Sequence, residues 1–213
     1  MQTDDPKTTT RGALIDAGLH LFGRQGYEGT STRELAERAG TNIASINYHF
    51  GGKGGLRSAC ATSVADRISA VLDTAGIMQV QTTPQAAETQ IEHLVSAFID
   101  LVVGSPQARD MVAFMLREIT EPGEISQQVY ETVVEPRHSA LCALWAAATG
   151  RTPEDDAVKL SVFALIGQVV YFRIASDFVM RRMSWDQIGP AQTGEIKHIV
   201  IANLRDAIER QRL

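Results

Sequence analysis

Apolar residues recur three and four positions apart along nearly the whole chain, which is the spacing of amphipathic α-helices. Runs of β-branched residues with strict alternation, which would indicate strands, are missing from the sequence. The pattern therefore predicts an all-α fold of about nine helices. We expect them near residues 8–25, 32–39, 43–49, 53–75, 84–103, 107–120, 125–148, 153–182 and 194–210.

Prolines mark several of the expected helix ends. Thr83-Pro84, Ser105-Pro106 and Thr152-Pro153 each place a proline directly after a residue that can cap a helix, so each pair predicts a helix start. Pro136 falls inside the seventh expected helix and should kink or split it. Residues 1–7 are expected to form a mobile tail.

The first three helices have the pattern of a helix-turn-helix. The second and third are short, and only Ala39-Gly40-Thr41 separates them, which is typical of the tight turn in this motif. Ser31 and Glu34 have the spacing of a capping box at the start of the second helix.

The third helix has two different faces. Ile43, Ile46 and Phe50 share one stripe, which we expect to anchor the helix. The opposite face is small, polar and aromatic, and it carries no acidic side chain that would repel phosphate. Small residues let a helix enter the major groove, where hydroxyl and methyl groups contact base edges. This face comprises Thr41, Ala44, Ser45, Tyr48 and His49.

A candidate phosphate site follows the third helix. Gly51-Gly52-Lys53 places flexible backbone amides and a cation at the start of the fourth helix, and helix N-termini bind phosphate. Taken singly, Tyr48, His49 and Lys53 also fit local packing or a solvated surface. The whole constellation, in this order, favours DNA binding.

Charge divides the chain unevenly. The net charge is −5, which argues against a general nucleic-acid binder. Residues 6–57, however, contain seven basic and four acidic side chains, a net of +3, so the remainder sums to −8. Two cysteines form no disulfide framework, and the longest charge-free apolar run, 160–172, is too short to span a bilayer. With no signal peptide in view, we expect a cytoplasmic protein, nucleoid-associated when bound to DNA, with no membrane partner.

Residues 13–56 closely resemble the N-terminal DNA-binding domain of the TetR family of bacterial transcriptional repressors. The motif that carries the resemblance comprises Phe22, Gly26-Tyr27, 30–36, Ala39-Gly40, 47–50 and Lys53. It implies a helix-turn-helix domain at 1–55, followed at 56–213 by a helical-bundle domain that binds an effector and dimerises. The second domain also resembles the subgroup with a CerR-type C-terminal domain, through Arg117-Glu118 and residues 167–172.

The resemblance implies which residues meet operator DNA, and Arg33 is the one that could pair with a guanine edge. With Thr41 from the helical pattern, the expected DNA-binding residues are Thr32, Arg33, Thr41, Ala44, Ser45, Tyr48, His49 and Lys53.

Polar and aromatic groups embedded in apolar helices are candidates for an effector pocket, although such residues also fit a plain core. They are Phe98, Phe114, Met115, Arg117, Tyr130, His138, Trp145, Gln168, Tyr171 and Arg173. A cation on an apolar helix needs a partner, so Arg117 and Arg173 could pair with Glu118, Asp177 or another carboxylate instead of a ligand.

The eighth helix is apolar on most of its circumference, and the ninth has an apolar stripe, so together they predict a four-helix interface in a twofold dimer. The alternative is a monomer whose other helices cover both faces. The candidate interface residues are Phe163, Ile166, Val170, Ile174, Ile196, Ile199, Val200, Asn203 and Ala207.

The expected function is a sequence-specific, ligand-responsive regulator without enzymatic activity or cofactor. Repression of a palindromic operator, with release by a small-molecule effector, is favoured over activation. Two other hypotheses stay open. Glu135/His138 and Glu195/His198 have the Glu-x-x-His spacing of di-metal carboxylate proteins, although Pro136 disrupts the first pair. The chain could also be a ligand-binding helical protein whose DNA-binding domain has lost its function.

Overall fold

The computed structural model describes residues 9–77, 83–105, 108–121 and 123–213, and these residues contain helices and turns but no strand. The all-α prediction is confirmed. The helices are α1 (Thr10–Gly29), α2 (Thr32–Arg38), α3 (Ile43–Phe50), α4 (Lys53–Thr74), α5 (Pro84–Ile99), α6 (Ala108–Thr120), α7 (Glu124–Val129), α8 (Glu135–Thr149), α9 (Asp156–Ile174), α10 (Ser176–Met183) and α11 (Pro190–Gln211). Short π-helical segments follow α5 at Asp100–Gly104 and α7 at Tyr130–Val134.

The described chain packs into two compact units. The first unit holds the residues up to Asp66 together with Asp110–Thr132, and the second holds Arg67–Arg109 together with Val133–Leu213. The chain passes from one unit to the other within α4, within α6 and within the second π-helical segment. The expected boundary at residue 55 divides the chain by function, into a DNA-binding and an effector-binding domain. The compact units divide it by packing, so this boundary stays a prediction.

The first unit has its core where α1, α2 and α3 meet. Leu14, Leu35, Ile46 and Leu56 are fully buried, and Phe22 is 1% exposed. Each helix contributes an apolar residue from its inner face, so the core follows the helical periodicity of the sequence. Two short helices are thereby fixed against the longer α1.

The second unit is built on contacts of α5 and α8, joined by α9 and α11. Ile91, Leu94 and Trp145 are almost completely buried there, as are Leu204 and Ile208 on α11. Trp145 also donates from its indole nitrogen to Gln211 Oε1 at 3.0 Å, so the polar edge of this buried ring has a partner.

Helix starts and breaks follow the proline pattern in part. Thr83 caps α5 with Pro84 in the first turn, as predicted. Pro136 lies in the first turn of α8, after the π-helical segment that separates α7 from α8, so the expected split is confirmed. The expected tail and Pro106 lie outside the described residues.

The eighth expected helix was wrong in two ways. It begins at Asp156 and not at Pro153, because the Asp155 side chain accepts a hydrogen bond from Ala157 N and caps the helix there. It also divides at Ala175 into α9 and α10. The last helix, α11, begins at Pro190, four residues before its expected start.

Helix α9 is long and apolar enough to cross a membrane by length and composition alone. This was not predicted from the sequence, where only the charge-free run was counted. The core helix of a soluble protein passes the same criterion.

Candidate DNA-binding surface

Helix α3 is held against the first unit by Ile46, which is fully buried, and by the half-buried Phe50. Ile43, expected to share this anchoring stripe, is 45% exposed, so the anchor is narrower than the sequence predicted. Ile43 is the first residue of α3 and directly follows the turn between α2 and α3. The remaining circumference of α3 is free to meet another molecule.

The start of α3 is fixed by a small network of polar side chains. Asn42 Oδ1 accepts from the backbone nitrogen of Ser45 at 3.0 Å and from the Ser45 hydroxyl at 3.2 Å. The Thr41 and Ser45 hydroxyl oxygens are 2.9 Å apart. Asn42 therefore caps the helix. The hydroxyl groups of Thr41 and Ser45, both candidates for DNA contact, belong to the same network, so a base contact would have to share them.

The outer face of α3 presents Ala44, Tyr48 and His49, all of them exposed. Tyr48 is 85% exposed, and its ring meets the edge of the His49 ring with centroids 4.9 Å apart. A large aromatic residue with so little contact to its own protein gains nothing for folding there. Its position fits a contact with another molecule.

Helix α2 begins with the predicted capping box. The Ser31 hydroxyl accepts from Glu34 N at 3.2 Å, and Glu34 Oε2 accepts from Ser31 N at 2.8 Å. Hydrogen bonds from the Ser31 side chain and backbone lower the pKa of Glu34. Of the two DNA-contact candidates on this helix, Thr32 is half-buried and Arg33 is exposed.

Lys53 makes contacts that the sequence did not reveal. Its ammonium group donates to the carbonyl oxygens of Tyr27 and Thr30 at 2.9 and 3.0 Å, and it lies 4.1 Å from the centroid of the Tyr27 ring. Cations stabilise the C-terminal ends of helices in this way, so Lys53 ties the end of α1 to the start of α4. Its contact with phosphate stays a prediction, for which one ammonium hydrogen is left.

The turn between α3 and α4 depends on two glycines. Gly51 ends α3 in the left-handed conformation, with φ 71°. A Cβ atom on Gly55 would overlap the carbonyl oxygen of Phe50, so the first turn of α4 can approach the end of α3 only with glycine there. The role of Gly55 was not predicted from the sequence, because this glycine belongs to no recognisable motif.

An ion pair in the first unit was also missed. Arg57 Nε and Nη2 donate to the two carboxylate oxygens of Glu118 at 2.8 and 2.7 Å, and Glu118 is 1% exposed. From the sequence, Glu118 was considered as a partner of Arg117 or Arg173. Arg117 instead pairs with Glu121 at 2.8 Å. Nearby, Ser58 donates to Gln128 at 2.9 Å. The start of α4 is thus tied to α6 and α7.

The effector candidates are divided between the units. Phe114, Met115, Arg117 and Tyr130 belong to the first unit and the other six to the second. Phe114 and Trp145 are buried core residues, whereas Tyr130 and Tyr171 are 50% and 60% exposed. Phe98 and Gln168 are half-buried.

Arg173 has no carboxylate partner among the described residues. Its guanidinium donates to the carbonyl oxygens of Val102, Val103 and Ser105 at 2.6 to 2.8 Å, and burial lowers the pKa of Arg173. Arg173 therefore caps the end of the first π-helical segment.

The candidate interface residues differ in their exposure to solvent. Phe163, Ile174 and Ile199 are 50 to 54% exposed, whereas Ile196 and Val200 are buried in the core of their own unit. Ile166, Val170 and Ala207 are half-buried, and the exposed Asn203 donates to Gln168 at 3.1 Å.

The two Glu-x-x-His pairs have different surroundings. His138 stacks on Phe163 with ring centroids 4.0 Å apart, and its Nε2 lies 3.1 Å from Lys159 O. Its Nδ1 lies 3.6 Å from Cys142 Sγ, so both ring nitrogens already have protein neighbours. Glu135, Glu195 and His198 are exposed. In the part of the chain that the structure describes, no three His, Cys, Asp or Glu side chains group to hold a metal ion.

Two family models match the chain. Residues 14–60 match "Bacterial regulatory proteins, tetR family", and residues 87–209 match the C-terminal domain of the "HTH-type transcriptional dual regulator CecR". This chain belongs to the TetR family of transcriptional regulators. The second match identifies the subgroup, expected as CerR-type, as the CecR type. The protein is accordingly a DNA-binding transcriptional regulator.

Relatives and solved structures agree with the family. The chain is 32% identical to CecR of Shigella flexneri over 94% of both proteins. It is 33% identical to the transcriptional repressor AcnR of Corynebacterium glutamicum over 36% of this chain and 40% of that protein. The structure of AibR with isovaleryl coenzyme A and operator DNA has the same fold, with TM-score 0.68 at 16% identity, over 92% of this chain and 97% of that one.

Proposed function

We propose that this TetR-family regulator is a cytosolic homodimeric repressor, which binds a palindromic operator through residues 1–55 and is released by a small-molecule effector bound within 56–213. The observation that carries the proposal is the outer face of α3. Ile46 fixes this helix from within, while Tyr48 is 85% exposed on the other side. Repression is supported by AcnR, which is named a transcriptional repressor.

The proposed dimer is supported by the two stripes of α9. Val158, Val162, Leu165 and Val169 are buried inside the unit. The other stripe stays exposed in the single chain, and α10 and α11 each add an exposed apolar residue. It comprises Leu160, Phe163, Tyr171, Ile174, Phe178 and Ile199. A second copy of the chain would cover this stripe. In a twofold dimer, two α3 helices about 34 Å apart would contact successive major grooves of a palindrome.

The proposed release acts through α4, because this helix has residues in both units. An effector that binds one arrangement of the second unit more tightly would shift α4, and with it the spacing of the two α3 helices. AibR, which has the same fold, has been crystallised with a small molecule and with operator DNA, the two kinds of ligand proposed for this chain.

Operator binding is tested by titrating the purified protein against DNA that flanks its own gene, with fluorescence anisotropy as the measurement. We expect Tyr48→Ala to weaken binding about tenfold, because each lost base contact costs roughly 1–3 kcal/mol. Ile119→Ala is the control, since Ile119 is also a large exposed residue of the first unit but lies outside α2 and α3. Equal affinity of the Tyr48→Ala variant and the unchanged protein would contradict the proposal.

Activation is the second candidate, because CecR of Shigella flexneri is named a dual regulator. Transcription in vitro from the bound promoter separates the two candidates. A repressor lowers transcript yield when it is added, and an activator raises it.

A further inference from the structure

The second unit contains a cleft of about 400 Å³ that no effector candidate lines. It lies between the π-helical segment Asp100–Gly104 and the first turns of α11. Asp100 and Gly104 line one side, and Thr193 and Lys197 line the other.

The Thr193 hydroxyl is buried without a hydrogen-bond partner among the described residues. Thr193 is 5% exposed, and its hydroxyl oxygen is the one buried side-chain atom in the described residues that has no hydrogen-bond partner. A Cβ on Gly104 would lie 3.7 Å from this oxygen, so the glycine leaves room beside it. Buried polar groups without protein partners are rare. This one belongs to a residue that lines the cleft, so its hydroxyl is available to a ligand there.

The cleft also carries one charge of each sign. Lys197 Nζ donates to Asp100 Oδ2 at 2.6 Å, which leaves two ammonium hydrogens and the second carboxylate oxygen for other partners. The Asp100 side chain is 60% exposed. Helix α11 begins at Pro190, so the positive end of its dipole adds to Lys197 on that side.

We propose that this cleft binds a small zwitterion of the α-amino acid class. Its carboxylate would accept hydrogen bonds from Lys197 Nζ and from the Thr193 hydroxyl, and its ammonium group would donate to Asp100. A ligand with both charges replaces the Asp100–Lys197 pair without leaving either ion alone, whereas a neutral polyol satisfies only the hydroxyl. The cleft would bind this ligand whether or not the protein contacts DNA, so the proposed site does not depend on the proposed function.

Calorimetry on the full chain without DNA tests the proposal. The probes are the free L-amino acids, titrated singly, each beside its carboxamide. We expect at least one amino acid to bind, and its carboxamide to bind at least tenfold more weakly. Lys197→Gln should weaken the amino acid about tenfold or more, because charged hydrogen bonds are the strong ones. Lys159→Gln is the matched control, since Lys159 forms a similar ion pair with Glu154 at 2.7 Å.

A second variant separates binding from folding. Thr193→Val removes the unpaired hydroxyl with little change in volume, so it should raise Tm by about 2–4 °C. It should also weaken the amino acid about fivefold, since it removes one hydrogen bond. Failure of every amino acid to bind, or equal binding to the Lys197→Gln variant or to the carboxamide, would overturn the proposal. Binding unchanged in Thr193→Val would overturn it too.

Discussion

Arg57 and Glu118 form the most buried ion pair among the described residues of the first unit. The Glu118 side chain is 2% exposed and that of Arg57 is 19% exposed. Two parallel hydrogen bonds compensate the charge of a carboxylate that has almost no access to water. Removing one partner of such a pair costs far more than replacing both, because the remaining ion stays buried and unpaired.

We therefore expect Glu118→Gln to lower the free energy of unfolding by roughly 3 kcal/mol, since Arg57 is left without its anion. Chemical denaturation is the measurement. Glu121→Gln, directly after the end of the same helix, is the control: Glu121 pairs with Arg117 but is 48% exposed, so its loss should cost about 0.5 kcal/mol or less. The double variant Arg57→Met with Glu118→Leu should be more stable than Glu118→Gln alone. A smaller loss in Glu118→Gln than in Glu121→Gln would contradict the role of the pair.

The polar contacts that sequence could predict are those between near neighbours. Ser31 and Glu34 are three residues apart, so the capping box follows from helix geometry alone. Lys53 and Arg57 have partners 23 to 61 residues away, and no local pattern encodes such distances. Lys53 was predicted to contact phosphate and Arg57 was counted in the positive charge of residues 6–57, and the structure shows both bonded within the first unit.

Among the elements, α9 has the most direct bearing on assembly. Its two apolar stripes face in different directions, and only one is buried within the unit. The sequence predicted the apolar circumference but not the division at Ala175, because no proline or glycine stands there. The break lies in the backbone of Ala175, whose φ of −95° and ψ of 20° leave the α-helical region.

We expect Ile174→Glu to convert the proposed dimer into a monomer, because it would bury a charge in an apolar contact. Light scattering should then give 23.2 kDa in place of about twice that mass. Ile119→Glu is a close control: Ile119 is 54% exposed and Ile174 is 53% exposed, but Ile119 lies on α6 in the first unit. A wild-type chain that is already monomeric, or a dimer that survives Ile174→Glu, would contradict the interface.

For the whole molecule, net charge sets how the protein searches DNA. The chain carries −5, and Arg57, one of the cations of its N-terminal segment, is neutralised by Glu118. We therefore expect phosphate attraction to be weak, and contacts of the α2 and α3 side chains to supply most of the affinity. We expect weak binding to a scrambled duplex, with a Kd of about 10⁻⁶ M or higher at physiological salt.

Arg33 distinguishes base contact from general attraction. It is exposed on α2, and the prediction from the family resemblance is that it could pair with a guanine edge. If it pairs with a base, Arg33→Gln should weaken operator binding by about 1–3 kcal/mol per site and leave affinity for the scrambled duplex nearly unchanged. Arg210→Gln, an identical charge change in the second unit, should alter neither. Measuring both duplexes at about 50 and 200 mM salt gives the slopes of affinity against salt as well. If Arg33→Gln lowers both affinities equally and flattens both slopes, Arg33 binds phosphate and specificity must come from α3.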